Sequence, residues 1–222
     1  MTTLAMPRPR RDSGMEGMVA KWYASNTGEM MKEYVDLARR IAPQLSSGGA
    51  VLEVAPGPGY FSIELAKLGN FSITGLDLSH TFVRLAALKA AEAGVKIDFR
   101  QGSASAMPFP ADSFDFLLCR AAFKNFGEPV NALQEMYRVL KPGGRALIID
   151  LKGDASPDEI SNQVDHMGLS SLNRILTKLI FKTVLLKRAY TEEQFRQLLT
   201  QTAFSNVEIV DSGVGLEVSL TK

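Results

Sequence analysis

The chain has 222 residues, 45% hydrophobic and 22% charged, enough for one full α/β domain with a modest insertion and a sizeable core. Its 25 Lys and Arg against 24 Asp and Glu exclude a broad electrostatic footprint for nucleic acid. A single cysteine, Cys119, excludes an internal disulfide and a four-cysteine zinc site, and with only His80 and His166 no metal centre is expected.

Met1 to Arg11 is rich in proline and arginine and lacks the apolar core of a signal peptide, so residues 1–14 read as a flexible tail. No stretch approaches eighteen apolar residues without a charge. The expectation is a cytoplasmic protein with no stable membrane insertion, folded as a single domain over residues 15–222. Residues 15–45 read as mostly helical, with Met30, Met31, Tyr34, Val35, Leu37, Ala38 and Ile41 at helical spacing up to Pro43 and the run 46–49.

A regular alternation follows. Ala50–Val54 is a short apolar strand, Tyr60–Lys67 a helix, Phe71–Leu76 a strand, and Ser79 caps a helix running to about Ala93. Val95–Arg100 and Phe114–Cys119 are the third and fourth strands; the fourth is nearly all apolar, as a strand covered on both faces must be. Glu128-Pro129 opens a helix that ends at Leu140, before Lys141-Pro142-Gly143-Gly144. Arg145–Ile149 is the fifth strand, with Asp150 at its end. Strands separated by helices require crossovers and a mostly parallel sheet.

The pattern breaks over residues 151–190, a helical insertion. Ser156-Pro157-Asp158-Glu159 starts one helix there, and a second runs from about Leu172 to Lys187. Thr191 and Gln194 then form a capping box for a helix to about Thr202. Asn206–Val210 and Val214–Leu220, joined at Asp211-Ser212-Gly213, close the chain as a hairpin. The fold class is therefore α/β: a Rossmann-like, seven-stranded, mostly parallel sheet with an antiparallel C-terminal hairpin edge and helices on both faces.

Open sheets of this kind bind ligands beyond the carboxyl ends of their strands. The first strand ends at Glu53 and Val54, and Gly57 and Gly59 let backbone approach a ligand before a helix begins with its free N–H groups. A dinucleotide loop needs a third glycine; counted from Gly57 that place is Ser62, and counted from Ala55 it is Tyr60. Glu53 repels a pyrophosphate and suits an ammonium-bearing ligand. Asp77, at the end of the second strand, can accept both hydroxyls of a ribose, or else caps the helix that follows. Ser103, in the loop after the third strand, can bond an adenine edge, with Leu78 and Met107 as apolar walls.

Taken in order, Leu52-Glu53-Val54-Ala55-Pro56-Gly57-Pro58-Gly59, Gly75-Leu76-Asp77-Leu78-Ser79, Gly102-Ser103-Ala104 with Met107-Pro108-Phe109, Phe114-Asp115 and Leu140-Lys141-Pro142-Gly143-Gly144 resemble the class I S-adenosylmethionine-dependent methyltransferases. The likeness is to the small-molecule branch that includes the ubiquinone and menaquinone biosynthesis enzymes, and it is strong over residues 48–150. It implies S-adenosyl-L-methionine as cofactor, with Glu53, Ala55, Gly57 and Gly59 beside the methionine part, Asp77 on the ribose and Leu78 on the adenine. It further implies Ser103 and Ala104 at the adenine edge, Arg120 and Ala121 along the channel near the sulfur, and structural roles for Asp115 and the turn at 141–144. Ala55 stands where the family has the first loop glycine, Ser103 where it usually has aspartate, and Lys124 where many relatives carry histidine.

The implied reaction is methyl transfer to a nucleophilic atom of a small, apolar or aromatic acceptor, by in-line displacement. Three alternatives stand beside it: a rearrangement or cyclisation next to bound cofactor without methyl transfer, methylation of protein or RNA, and a non-catalytic binding or partner subunit whose site Ala55 and Ser103 weaken. His166 and Tyr23 are the candidate catalytic residues, and His80 and Asp150 are further bases to test. Arg174, Lys178 and Lys182 lie four apart on a helix otherwise rich in Ile, Leu and Val. That helix, 172–187, reads as the lid of a substrate pocket, with a homodimer contact or a transient touch to a membrane surface as its rival roles.

Overall fold

The computed structural model describes residues 6, 14–27, 31–165 and 185–222. The two most apolar strands lie side by side. Ala50–Val54 (β1) and Phe114–Arg120 (β4) are parallel, with Val51 opposite Phe116 and Val54 opposite Cys119. Both need cover on both faces, and the other strands set where that cover goes. Ser72–Asp77 (β2) pairs with β1 and Asp98–Gln101 (β3) with β2, both parallel. On the other side, Leu140–Leu151 (β5) runs parallel to β4. Gly215–Thr221 (β7) is antiparallel to β5, and Asn206–Asp211 (β6) is antiparallel to β7. The order is β3-β2-β1-β4-β5-β7-β6, so the expected seven strands and antiparallel hairpin edge are present.

The helices Gly17–Thr27 (α1), Met31–Ile41 (α2), Tyr60–Ala66 (α3), His80–Glu92 (α4), Pro129–Val139 (α5), Pro157–Asp165 (α6) and Glu192–Leu199 (α7) connect or cover these strands. The period of two in the strands sorts them into two cores. Leu37, Ala38 and Ile41 of α2 and Phe61 and Leu65 of α3 bury against Val51, Phe116 and Leu118. Leu133 and Met136 of α5 and Phe195 and Leu198 of α7 bury against Leu52, Val54, Leu117, Cys119 and Ile148 on the opposite face. A small third cluster joins Ala155, Ile160 and Val164 to Leu151, Leu185 and Leu186.

Caps fall where residue chemistry puts them. Ser79 accepts from Phe82 N at the start of α4. Ser156 and Glu159 exchange bonds at the start of α6, and Thr191 and Gln194 do so at α7. The boundaries differ most from the sequence expectation at the starts of two strands. The third strand begins at Asp98, leaving 95–97 outside it. The fifth begins at Leu140 rather than Arg145: Leu140 pairs with Phe114, but Arg145 pairs with Phe116, so 141–144 bulge out of one continuous strand. Asp115 anchors that bulge by accepting from Lys141 Nζ (2.7 Å) and from the Ala50 amide at the head of β1 (2.8 Å).

Candidate functional site

The order of strands reverses between β1 and β4, and the crevice of an open sheet lies beyond the carboxyl ends of such a pair. Ala55 and Ala121 follow those two strands. Each donates its amide one step further along the neighbouring strand, to Leu76 O and to Ile149 O, both at 2.7 Å. Each then takes a left-handed conformation, φ 56°, which costs a residue with a Cβ roughly 1 kcal/mol. The chain thus turns sharply at both strand ends and leaves the crevice open between them.

Beyond Ala55 the loop is built on two glycines with left-handed φ. Gly59 must be glycine, because a Cβ there would lie 2.8 Å from the Phe99 ring and 3.0 Å from the Ala86 methyl. Gly57 is the opposite case. A Cβ there would meet no atom within 4 Å, so this position of the loop borders open space.

Two carboxylates stand at the rim. Alternation along β1 and β2 places Glu53 and Asp77 on the α2–α3 face, with Ile73 and Val51. Glu53 is buried, and one oxygen accepts from both the amide (3.1 Å) and the hydroxyl of Ser62 in α3. Burial pushes its carboxyl up to about 7, against the lowering pull of Ser62 and Arg120. Ser62 is the residue at the third-glycine place of a dinucleotide loop; here it holds the strand-end acid. Asp77 is also buried, and accepts from Gly57 N at 3.0 Å through one oxygen and from Ser79 N at 2.8 Å through the other. Burial raises its carboxyl as well, opposed by those two amides. Asp77 thus bonds the amide of Ser79, the residue that caps α4, and the same carboxylate ties β2 to the glycine loop.

Arg120 ends β4 on the same face. It pairs with Glu33 of α2 and lies over the Tyr34 ring, 4.6 Å from its centroid. Tyr34 in turn meets Tyr60, 5.5 Å between centroids, and the Tyr60 hydroxyl donates to Ala24 O of α1 at 2.7 Å. Glu33, Tyr34 and Tyr60 thus flank the crevice without having been singled out in the sequence. Their signal was the helical phase of α2, which puts Tyr34 one turn ahead of buried Ala38. Across the crevice, Gly102 N reaches Asp77 O (3.0 Å), the Ser103 hydroxyl accepts from Ser105 N (3.1 Å), and Leu78, Ser103 and Ala104 are half-buried.

The opposite face has a different arrangement. Asp150, in phase with Ile148, accepts from Lys124 Nζ at 2.7 Å, from Lys124 N at 2.9 Å and from Leu151 N at 2.8 Å. Lys124 also donates to Ala121 O at 2.7 Å, and the side chains of Lys124 and Asp150 are both 7% exposed. Both Asp150 oxygens are engaged by this pairing. The pair borders a cavity of about 10 Å³ lined also by Phe123, Tyr190, Phe195 and Leu216, room for about one water. His80 is exposed, with its amide bonded to Glu16. Tyr23 falls within α1. His166 lies outside the described residues, as does all of the 172–187 helix except 185–187.

Among the described residues no helix is long and apolar enough to cross a membrane, and no cluster of three His, Cys, Asp or Glu could hold a metal.

Residues 52–148 match the family model for a methyltransferase domain. The demethylmenaquinone methyltransferase of Deinococcus radiodurans is 39% identical over 107 residues, 48% of this chain and 44% of that one. The chain therefore spans less than half the length of that curated relative. Among solved structures, a protein of Methanococcus maripaludis described as a candidate S-adenosyl-L-methionine-dependent methyltransferase superposes with a TM-score of 0.77 at 24% identity, covering 96% of this chain and 97% of that one. The [4+2]-cyclase SpnF superposes with a TM-score of 0.66 at 19% identity, covering 99% of this chain and 87% of that one. These likenesses carry the fold; one fold hosts many reactions.

Proposed function

We propose that this chain, whose residues 52–148 match the model for a methyltransferase domain, is a class I S-adenosylmethionine-dependent methyltransferase that transfers a methyl group from S-adenosylmethionine to a small, apolar or aromatic acceptor. One observation carries the reading. Glu53 and Asp77 are buried carboxylates at the rim of a glycine loop, each held by N–H or hydroxyl groups. Such groups lose hydration without gaining a cation. A ligand that brings an ammonium, a sulfonium and a ribose diol supplies what they lack, and the open space over Gly57 leaves room for it.

When bound, the cofactor supplies a methyl group activated by its sulfonium. The chain's own part is to bind, align and exclude water. In this reading Asp77 accepts from the ribose hydroxyls and Glu53, as its anion, faces the amino group beside Ala55, Gly57 and Gly59. Leu78, Ser103 and Ala104 border the adenine. Arg120 and Ala121 border the path between donor and acceptor. Residues 151–190 roof the acceptor side, with His166 and Tyr23 as candidate contacts to the acceptor. Asp150 stays bonded to Lys124 and is given no part in this reading.

Calorimetric titration with S-adenosylhomocysteine tests the site. Asp77→Ala should weaken binding about 100-fold, as loss of charged hydrogen bonds to a diol implies; unchanged binding would sink the ribose assignment. Incubation with S-adenosylmethionine and a panel of phenols, quinols and amines, read by mass, tests the reaction. Tight cofactor binding with no methylated product from any acceptor class would favour the non-methylating alternative.

A further inference from the structure

The carboxylate of Asp77 does not stand alone; it is the inner end of a chain of bonds that leads out to the N-terminal segment. Asp77 holds Gly57 N with one oxygen and Ser79 N with the other. The Ser79 hydroxyl accepts from Phe82 N and donates to Met15 O at 2.5 Å. Next to Met15, the Glu16 carboxylate accepts from His80 N (2.8 Å), from Thr81 N (3.1 Å) and from the Thr81 hydroxyl (2.5 Å). Thr81 Oγ1 accepts in turn from Gly17 N at 3.1 Å. Gly14 completes the fit: a Cβ there would come within 3.1 Å of the Ser79 backbone. Residues 14–17 are thus seated on the first turn of α4, more than sixty residues away in sequence. The other end of α1 is held to the glycine-loop side, through Ala24 O and Tyr60.

We infer that Glu16 is a positioning residue for the nucleoside side of the site, which aims Asp77 by fixing the turn at Ser79–Thr81. This rests on the reading of Asp77 as the ribose acceptor, and goes beyond it by assigning a role to a segment outside the matched residues 52–148. The physical case is direct. A carboxylate with two oxygens, each given to a different backbone amide, points where those amides point. Gly57 N belongs to a loop that turns on two left-handed glycines, and Ser79 N belongs to a turn that Met15, Glu16 and Gly17 grip from outside. The N-terminus of α4 carries free N–H groups and partial positive charge, which an acidic side chain stabilises. Glu16 supplies that charge from a distant part of the chain, and the Thr81 hydroxyl holds its carboxyl below the usual range, so it is an anion at neutral pH.

The test uses the full chain with Glu16→Ala, an exposed position whose loss leaves both cores intact. First, amide hydrogen exchange is followed residue by residue without cofactor. The inference expects exchange at Gly57 and Ser79 to speed up about tenfold while Val51 to Val54 are unchanged, the signature of a local opening. Equal rates in the variant and the parent at Gly57 and Ser79 would overturn it. Second, affinities for S-adenosylhomocysteine and for 5′-methylthioadenosine are measured. Both carry the ribose, so both should weaken about five- to tenfold, a range fitting one lost positioning contact. Weakening of S-adenosylhomocysteine alone would place the effect at the amino-acid end and overturn the inference. A parent protein that binds neither nucleoside would overturn the proposed function, while the exchange rates still decide whether Glu16 governs Asp77.

Discussion

On the α2–α3 face of the sheet, the carboxyl ends of β1 and β2 present Glu53 and Asp77, buried and held by amides and one hydroxyl. On the α5–α7 face, the end of β5 presents Asp150, its side chain 7% exposed but bonded twice to Lys124. Both arrangements put negative charge at strand ends, where a crevice is expected, yet only one of them neutralises it. A paired, fully bonded ion in an apolar wall is complete without a ligand. Two carboxylates without a cation of their own are not, and their raised pKa values record that cost. The difference teaches where a positively charged ligand belongs, and it does so from burial and bonding alone.

The comparison can be broken most forcefully at the completed pair. Lys124→Met leaves Asp150 buried without its cation, and should cost about 3–5 kcal/mol. Thermal unfolding followed by circular dichroism would show a fall on the order of 10 °C. Lys124→Met combined with Asp150→Leu should recover most of it, because an apolar pair of similar size suits this wall. Equal destabilisation by the single and double changes would mean that the pair was not what mattered there.

The unpaired side should answer in the opposite sense. The folded chain holds the Glu53 proton up to about pH 7, whereas an ordinary glutamate releases it near 4.5. Between those values the folded state binds the extra proton, so stability falls as pH rises through that window and levels off above it. Glu53→Gln removes this slope, and denaturant titrations should find the variant about 3 kcal/mol more stable than the parent at pH 8, and little different at pH 4. Binding of a cationic cofactor draws on the ionised form, so parent affinity for S-adenosylmethionine should climb about tenfold from pH 6 to pH 8, and Glu53→Gln should flatten that climb. A parent affinity independent of pH would place Glu53 outside the cofactor's field.

The smallest effect belongs to charge that neither face buries. Arg196 and Glu192 pair across one turn of α7 with side chains 50% and 48% exposed. Glu192→Gln should change unfolding free energy by no more than about 0.5 kcal/mol, and still less in high salt. A loss comparable to that at Lys124 would show that burial does not separate the two classes of charge.

Much of this was legible in the residues, and what was not has a common cause. Apolar runs at 50–54 and 114–119, the serine and threonine caps at 79, 156 and 191, and the closing hairpin all depend on neighbours within a few positions, which a single chain displays. The bulge at 141–144 did not read correctly, because Pro142-Gly143-Gly144 signals a turn. The structure keeps strand on both sides of it, anchored by Asp115 from β4. The site divides the same way. The glycine loop and the acid after each strand follow from local pattern, but their partners do not. Ser62 reaches Glu53 across a strand end, a loop and a helix turn; Lys124 meets Asp150 across α5; Glu16 meets Thr81 across two strands and three helices. Each of these pairings is set by how elements stack, and no spacing in the sequence announces it.

Cys119 is the chain's only cysteine, and it sits one residue before the end of β4 with none of its surface exposed. Burial, reinforced by the charge of Asp150, drives its thiol well above the ordinary range, so little thiolate forms at neutral pH. The native protein is therefore chemically silent toward maleimides and similar reagents. A cysteine introduced on the surface of α4, at exposed Leu88, would take a fluorescent acceptor dye without first removing the native thiol. Trp22, the only tryptophan, already lies in α1 as the donor. Energy transfer between the two would report the separation of the N-terminal segment from the nucleoside side of the sheet in real time.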